Sequence, residues 1–308
     1  MARFAAIDVG TNTVLLLVAE RTKAGFRAVA ERGAITRLGK GVDASRKLAP
    51  EAMERTLETV GRFADEARAL GVQGLVASAT SAARDAQNGT EFLAAAKARA
   101  GVEVEILSGD EEARLSYLAV ANDFGAEAGS RELVAVDIGG GSTEFVFGTG
   151  ASVRFHASTN IGSVRLTERC IRSDPPSADD LARLGVELDV ALAAIPRPGA
   201  NALVVGVAGT VTTLYAVANG VAPYNAARVH GGWLSREALG LARARLSAEP
   251  LTARRNIPGL QPERADVIIA GAVLLERTLS HLGATGVRVS DHGLRWGLLA
   301  ARFGGMDG

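Results

Sequence analysis

Asp137-Ile-Gly-Gly-Gly-Ser-Thr-Glu144 is the stretch of this sequence whose residue types point most directly to chemistry. Three consecutive glycines cost backbone entropy that an ordinary turn has no need to incur. Lacking side chains, Gly139, Gly140 and Gly141 let the backbone approach a ligand closely and aim N–H groups at an anion. Asp137 ends one strand and Glu144 starts the next, so a tight hairpin brings both carboxylates to its open end. Two hard oxygen ligands beside an anion cradle suit a magnesium–phosphate pair; a plain hairpin with solvated acids is the alternative. The segment is neither a Rossmann nor a Walker loop, because both open a helix, whereas Thr143-Glu-Phe-Val-Phe continues as a strand.

A related turn stands near the start of the chain, Asp8-Val-Gly-Thr-Asn-Thr13. The hydroxyls of Thr11 and Thr13 and the amide of Asn12 are donors suited to phosphate oxygens, and Asp8 is placed to reach a metal through water; an ordinary hairpin explains the same residues. In Ser108-Gly-Asp-Glu-Glu-Ala-Arg114, Ser108 and Glu111 have the spacing of a helix capping box, which gives Glu111 a structural task. Glu112, about 100° further round the helix, is not needed by the cap and is a carboxylate that can activate water. Acids in a first helical turn also complement the helix dipole. Arg84 is suited to clamp a phosphate or to pair with Asp85. Gly206-Val-Ala-Gly-Thr-Val-Thr-Thr213 reads as strand, turn and helix N-terminus, so Gly209 and Thr210 either greet an anion or Thr210 caps the helix.

Other chemistries fit poorly. No G-x-S-x-G elbow is present. Histidines 156, 230, 281 and 292 are scattered without metal-ligand spacing, and His230 and His292, each beside glycine, read as loop residues and not as bases. The single cysteine, Cys170, excludes an intrachain disulfide and a Cys-based zinc site, and cytoplasmic residence is the expectation. Trp233 and Trp296 are too few for a base-stacking platform. Arg243, Arg245, Arg254, Arg255 and Arg264 either line a polyanion track or form a solvated helix face.

The positioning elements follow from pattern. The 308 residues are enough for about two domains. With 47% hydrophobic and 22% charged residues the chain is globular, not disordered. Net charge is zero, with 34 Lys+Arg against 34 Asp+Glu, so no bulk field draws nucleic acid. No apolar run approaches the roughly 20 residues of a membrane span, and the strand-like start is not a signal peptide. The first half reads β-β-β-α-β-α-β-α, with strands over 3–9, 14–19, 25–35, 73–79 and 102–107, and helices over 50–70, 90–100 and 110–121. The pattern then restarts: strands over 132–138, 143–147, 151–156, 202–207 and 286–290, helices over 164–172, 178–194, 210–218, 235–246, 262–282 and 294–303. A strand ending Asp-x-Gly, a polar turn and a second strand thus occur twice, at Asp8 and Asp137, an offset of 129 residues (137 − 8). That is domain duplication. The boundary is expected in the Asn-, Asp-, Gly- and Ser-rich stretch 122–130.

Taken together, AIDVGTNT, ATSAARDAQN, ILSGDEEARLSYLAV, VDIGGGSTEF, NIGSVRLTE, GVAGTVTTLYA, IPGLQPERADVIIAGA and SDHGLRWGLL resemble the exopolyphosphatase/guanosine pentaphosphate phosphatase family of the actin/sugar-kinase/Hsp70-like fold group. The resemblance runs over nearly the whole chain. It implies an α/β fold of two ribonuclease-H-like lobes around an interdomain cleft: residues 1–124 with the C-terminal helix 294–308, and residues 125–293. It implies Glu112 as the catalytic base, and Asp137 and Glu144 as metal positions with Asp8 nearby. It implies Gly139, Gly140, Gly141, Ser142 and Thr143 as one phosphate cradle and Thr11, Asn12 and Thr13 as the opposing one, with Arg84 on phosphate. The implied cofactor is Mg2+ or another hard divalent cation. The implied substrate is polyphosphate, or guanosine penta/tetraphosphate as the alternative; a kinase or nucleotide sensor of the same fold is more distant. A homodimer is expected, with neither nucleic acid nor membrane as partner. This chain has Arg295-Trp296 where the family often has Arg-Glu, and it stops at Gly308 where longer members carry a further helical domain, which suits it to short polyphosphate or a nucleotide.

Overall fold

In the computed structural model, which describes residues 1–305, the chain divides into two compact units. One comprises Met1–Ala119 with the C-terminal segment from Leu294; the other is Val120–Gly293. Residues 306–308, grouped with the first domain from sequence, lie outside the described residues. No helix among the described residues is long and apolar enough to cross a membrane.

The first unit runs β1 (Arg3–Val9), β2 (Thr13–Thr22), β3 (Gly25–Ile35), α1 (Val42–Ser45), α2 (Pro50–Ala69), β4 (Gly74–Ala79), α3 (Ser81–Asp85), α4 (Gly89–Ala100), β5 (Val104–Ile106) and the start of α5 (Gly109–Ala128). The second holds β6 (Leu133–Ile138), β7 (Thr143–Thr149), β8 (Ser152–Thr159), α6 (Ser163–Cys170), α7 (Ala178–Leu192), β9 (Leu203–Val207), α8 (Ala208–Ala218), α9 (Ala226–Val229), β10 (Trp233–Ser235), α10 (Arg236–Ala248), α11 (Leu251–Arg254), α12 (Ile268–His281) and β11 (Gly286–Val289). The last helix, α13 (Leu294–Phe303), belongs to the first unit.

The sheets repeat one topology. The first has the order β3-β2-β1-β4-β5 and the second β10-β11-β9-β6-β7-β8. In each, an antiparallel three-strand meander is followed by two parallel strands, and the second sheet adds β10 antiparallel to β11 at its edge. The central strand of each is buried on both faces, which is why both read as unbroken apolar runs. Ala5, Ile7 and Val9 of β1 pack on one side with Phe63 of α2 and Phe92 of α4; Phe4 and Ala6 pack on the other with Leu115 of α5 and Leu298 of α13. Strand alternation thus splits β1 between two helical layers.

Two sequence expectations need correction. The stretch 122–130 is helical as far as Ala128, because Phe124 and Ala128 bury their side chains and override the low helix propensity of Asn122, Asp123 and Gly125. The units therefore divide inside α5, at Ala119/Val120, not in a polar loop. The helix expected over 262–282 is a 3-10 turn at Pro262–Arg264 and then α12 from Ile268. Arg254 Nη1 donates to the Ala265 carbonyl at 2.9 Å, taking an acceptor that a continuous helix would use. The sequence pattern does not anticipate the short strand at Trp233–Ser235.

Trp296 joins the apolar cluster around Phe4, Leu17 and Leu298, and Arg295 donates to the Leu16 carbonyl and pairs with Glu31 at 3.3 Å. Gly297 lets α13 pack tightly on α5: a Cβ there would stand 2.0 Å from the Leu115 carbonyl oxygen. Gly297→Ala forces two backbones apart, so it should destabilise the protein by about 1–3 kcal/mol, read as a lower thermal midpoint. An unchanged midpoint would refute this packing.

Candidate active site

Both turns singled out in the sequence lie at the carboxyl ends of parallel strands, where open α/β sheets present their ligand-binding loops. In the second unit Asp137 is directly opposite Glu144 across β6–β7 and abreast of Val207 in β9. Directly opposed residues share a face of the sheet, so the carboxylates are neighbours. Both are buried, at 8% and 1% exposure, a costly arrangement for two like charges. Ser158 donates its hydroxyl proton to Glu144 Oε1 at 2.7 Å.

The glycine turn is held from behind. Its carbonyls accept the N–H groups that begin α6: Ser163 N to Gly139 O at 3.0 Å, and Val164 and Arg165 N to Gly140 O at 2.9 and 3.1 Å. Arg165 Nε adds a bond to Gly141 O at 2.7 Å, and Thr143 Oγ1 donates to Ile161 O at 2.5 Å. These bonds satisfy the orphan donors of a helix N-terminus and commit the turn's carbonyls to that side. The remaining main-chain N–H groups of Gly140, Gly141 and Ser142 are what the turn has to offer an anion. Gly162 makes the approach possible, since a Cβ there would lie 2.5 Å from the Gly140 carbonyl.

The first unit repeats this plan. Gly10 N donates to Thr13 O at 2.9 Å as Gly139 N does to Ser142 O at 3.0 Å. Gly39 N donates to Thr11 O at 2.8 Å, and Thr36 and Arg37 N both reach Asn12 O at 3.0 Å. Gly39 plays the part of Gly162, with Thr11 Cγ2 standing 2.3 Å from where its Cβ would be. The repeat fails at one position: Asp8 lies opposite Leu15, where Asp137 has Glu144. Of the two turns, the second carries the acid pair.

Thr11 Oγ1 shares a buried hydrogen bond of 2.8 Å with Ser81 Oγ at the start of α3, and the same short helix carries Arg84. Arg84 Nη1 donates to Glu112 Oε2 at 3.1 Å and to the Leu107 carbonyl at 2.9 Å. Glu112 is 8% exposed, whereas Glu111 is exposed and closes the capping box: Ser108 N and Oγ donate to its Oε2 at 3.1 and 2.9 Å, and Glu111 N returns to Ser108 Oγ at 3.2 Å. The Ser108 N–H and hydroxyl hold the Glu111 carboxyl below the usual range. Two adjacent acids are thus separated into a cap and a buried carboxylate beside a guanidinium.

At α8 the structure departs from the capping alternative. Val207, not Thr210, is the N-cap, and Thr210 is buried against α12 at Gly271. Ala208 holds φ +68°, a left-handed conformation strained for a residue with a side chain. Gly209 faces the Arg264 guanidinium, whose Nη1 would stand 2.4 Å from a Cβ placed there. Burial pushes the Arg264 guanidinium below its usual value, opposed by nearby Tyr224 and Glu263. A cation stacked at the positive end of a helix is a second anion-seeking feature of this unit. In the sequence, Arg264 is only one of five basic residues. The structure dissolves that cluster: Arg243 pairs with Glu276 at 2.7 Å, and Arg254 is buried among carbonyls and Asp174.

Comparison with known proteins agrees with this architecture. A model of the Ppx/GppA phosphatase family matches residues 17–303. The chain is 36% identical over 321 aligned residues to exopolyphosphatase 2 of Mycobacterium tuberculosis, covering 99% of each. It is 32% identical to exopolyphosphatase 1 of Mycobacterium bovis, covering 98% of this chain and 88% of that one. The crystal structure of the Aquifex aeolicus Ppx/GppA family member superimposes with a TM-score of 0.84 at 33% identity, covering 100% of this chain and 99% of that one. An exopolyphosphatase from Cytophaga hutchinsonii gives a TM-score of 0.89 at 27% identity, covering 98% of each. With its two repeated sheets in the actin-like arrangement, the chain belongs to the Ppx/GppA phosphatase family.

Proposed function

We propose that this phosphoanhydride hydrolase is a magnesium-dependent exopolyphosphatase that releases terminal orthophosphate from short inorganic polyphosphate. The observation that carries the reading is the buried Asp137–Glu144 pair on the glycine turn. Opposed like charges destabilise a sheet, and a divalent cation reverses the sign of that interaction. The donors fit magnesium, which is commonly held through one or two carboxylates completed by water and substrate phosphates. Asp137 and Glu144 would hold it. When bound, it supplies neutralisation of the phosphate charge.

The chain's own groups do the rest. Glu112 takes a proton from water as the water oxygen bonds to the terminal phosphorus and the bridging P–O bond breaks, its electron pair leaving with the shortened chain. Arg84 orients the Glu112 carboxylate through the 3.1 Å bond and turns its remaining guanidinium donors to phosphate. The N–H groups of residues 140–142, with the Ser142 hydroxyl, hold phosphate oxygens in the second unit, joined by Gly209 at α8; Thr11, Asn12 and Thr13 do so in the first. The Thr143 hydroxyl is spent on the Ile161 carbonyl and Thr210 is buried against α12, so neither side chain takes part. The exopolyphosphatase names of the M. tuberculosis and M. bovis relatives support polyphosphate as substrate.

The test is phosphate release from short-chain polyphosphate in magnesium buffer. Glu112→Gln should lower kcat by about 10²–10⁴-fold with an unchanged thermal midpoint. Glu111→Ala should do the reverse, costing about 1 kcal/mol of stability at near-normal kcat. Equal effects of the two on kcat would remove Glu112 from its role. Wild-type silence on polyphosphate but release from guanosine pentaphosphate would reassign the substrate.

A second prediction concerns the acid pair. Glu144→Gln removes the charge conflict, so the metal-free variant should be at least as stable as wild type. Its magnesium-induced rise in thermal midpoint should vanish, and phosphate release should fall by about two orders of magnitude or more. A variant that melts earlier without metal yet keeps its magnesium response would contradict this assignment.

A further inference from the structure

Histidines that are far apart in sequence meet in the second unit. His230 follows α9, His292 stands two residues before α13, and Asp123 projects from α5. His292 Nδ1 lies 2.8 Å from Asp123 Oδ2, and His230 Nε2 lies 4.0 Å from the same oxygen. The imidazoles stack with centroids 4.2 Å apart, tilted by 28°. Each of the three residues presents one ligand atom such that all lie within 4.8 Å of one another. The side chains are about a quarter exposed, at 25%, 29% and 25% for Asp123, His230 and His292, so an ion has a way in.

The place of the cluster is as informative as its composition. The chain passes between its two units at Ala119/Val120 and at Gly293/Leu294. Asp123, within α5, lies just past the first passage, and His292 lies just before the second in a turn of its own. His292 N donates to Ser290 Oγ at 3.1 Å, and Ser290 Oγ donates back to the His292 carbonyl at 3.0 Å. The third member is locked to the second by backbone: Gly231 N donates to Val289 O and Val289 N to Gly232 O, both at 2.8 Å. The cluster is therefore preformed on segments whose backbones are already tied.

We propose that Asp123, His230 and His292 form a binding site for a zinc-class transition-metal dication that pins together the two connecting segments of the chain. Two imidazoles and one carboxylate select zinc, nickel or cobalt over magnesium or calcium, which prefer oxygen. Tetrahedral zinc with bonds of about 2.0–2.2 Å holds its ligand atoms about 3.3 Å apart, so the observed spacings need adjustments of about 0.5–1.5 Å, and the stacked rings turn so that both lone pairs meet one ion. The ion takes the place of the proton between His292 Nδ1 and Asp123 Oδ2. When His230 binds through Nε2 its proton resides on Nδ1, which gives up the Asp291 N–H it accepts at 3.3 Å and donates toward Ser290 Oγ at 3.5 Å. Water fills the fourth position. The site differs from the Asp137–Glu144 pair in ligand type and in the metal it takes.

The experiment is calorimetric titration of zinc chloride into the demetallated full-length protein, in magnesium buffer and without substrate, so that its outcome is independent of the hydrolase reading. One zinc per chain is expected at micromolar affinity or tighter, with a rise in thermal midpoint. His292→Ala and Asp123→Asn should each weaken zinc by about tenfold or more and abolish that rise, while Glu144→Gln retains both. Absence of saturable zinc binding to the wild type would overturn the proposal, as would full affinity in both folded variants or loss of zinc in Glu144→Gln. Should a variant misfold, cobalt binding to the wild type decides: visible d–d bands of a nitrogen-ligated, four-coordinate ion support the site, and only the spectrum of aqueous cobalt refutes it.

Discussion

The carbonyl oxygens of Gly139, Gly140 and Gly141 are all committed to the start of α6, and the candidate site of the second unit depends on that arrangement. A turn of three glycines has no side chains to hold it and would sample many conformations if left alone. Tying its acceptors to a helix N-terminus removes that freedom and simultaneously sorts the peptide groups by direction, acceptors to the helix and donors away from it. The same bonds satisfy α6, which has no side-chain cap of its own. The ordering of the glycine turn and the capping of α6 are thus one set of hydrogen bonds, and Gly162 is the residue whose missing Cβ lets them form.

The first unit uses the same construction with different residues. Gly39 replaces Gly162, and the backbone after β3 replaces a helix N-terminus. What diverges is the position across from the strand-ending acid: half-buried Leu15 in the first unit, Glu144 beside Ser158 in the second. A duplicated hairpin has kept its anion-facing turn twice and its pair of buried acids once. The acid pair is unfavourable for folding, which is reason to hold one such pair and not two.

Electrostatics at the remaining positions follow one rule: charges that serve the fold are paired with partners that need nothing further. Arg254 is enclosed by carbonyls and Asp174, Glu132 by Arg154 and the Gly199 amide, and Asp180 by Ser173, Ser177 and Arg183. The charges given chemical roles are arranged differently. Glu112 faces the Arg84 guanidinium, Asp137 faces another acid, and Arg264 stacks on the positive end of a helix.

The sequence by itself determined the local features. The hairpins at Asp8 and Asp137 follow from short β-rich runs around Gly and Thr, and their repetition displays the duplicated fold. The capping spacing of Ser108 and Glu111 is enough to distinguish two adjacent acids, because a cap is settled within a single turn of chain. Tertiary structure alone decided what depends on segments distant along the chain. That Arg84 meets Glu112, that Arg264 covers Gly209, and that α5 continues through Asn122–Ala128 on the strength of buried Phe124 are consequences of packing, and packing overrides local propensity. The meeting of Asp123, His230 and His292 is the clearest instance. Their separations in sequence match no metal-ligand spacing, since metal geometry constrains distances in space and only on a single helix or turn does it leave a trace in residue numbers.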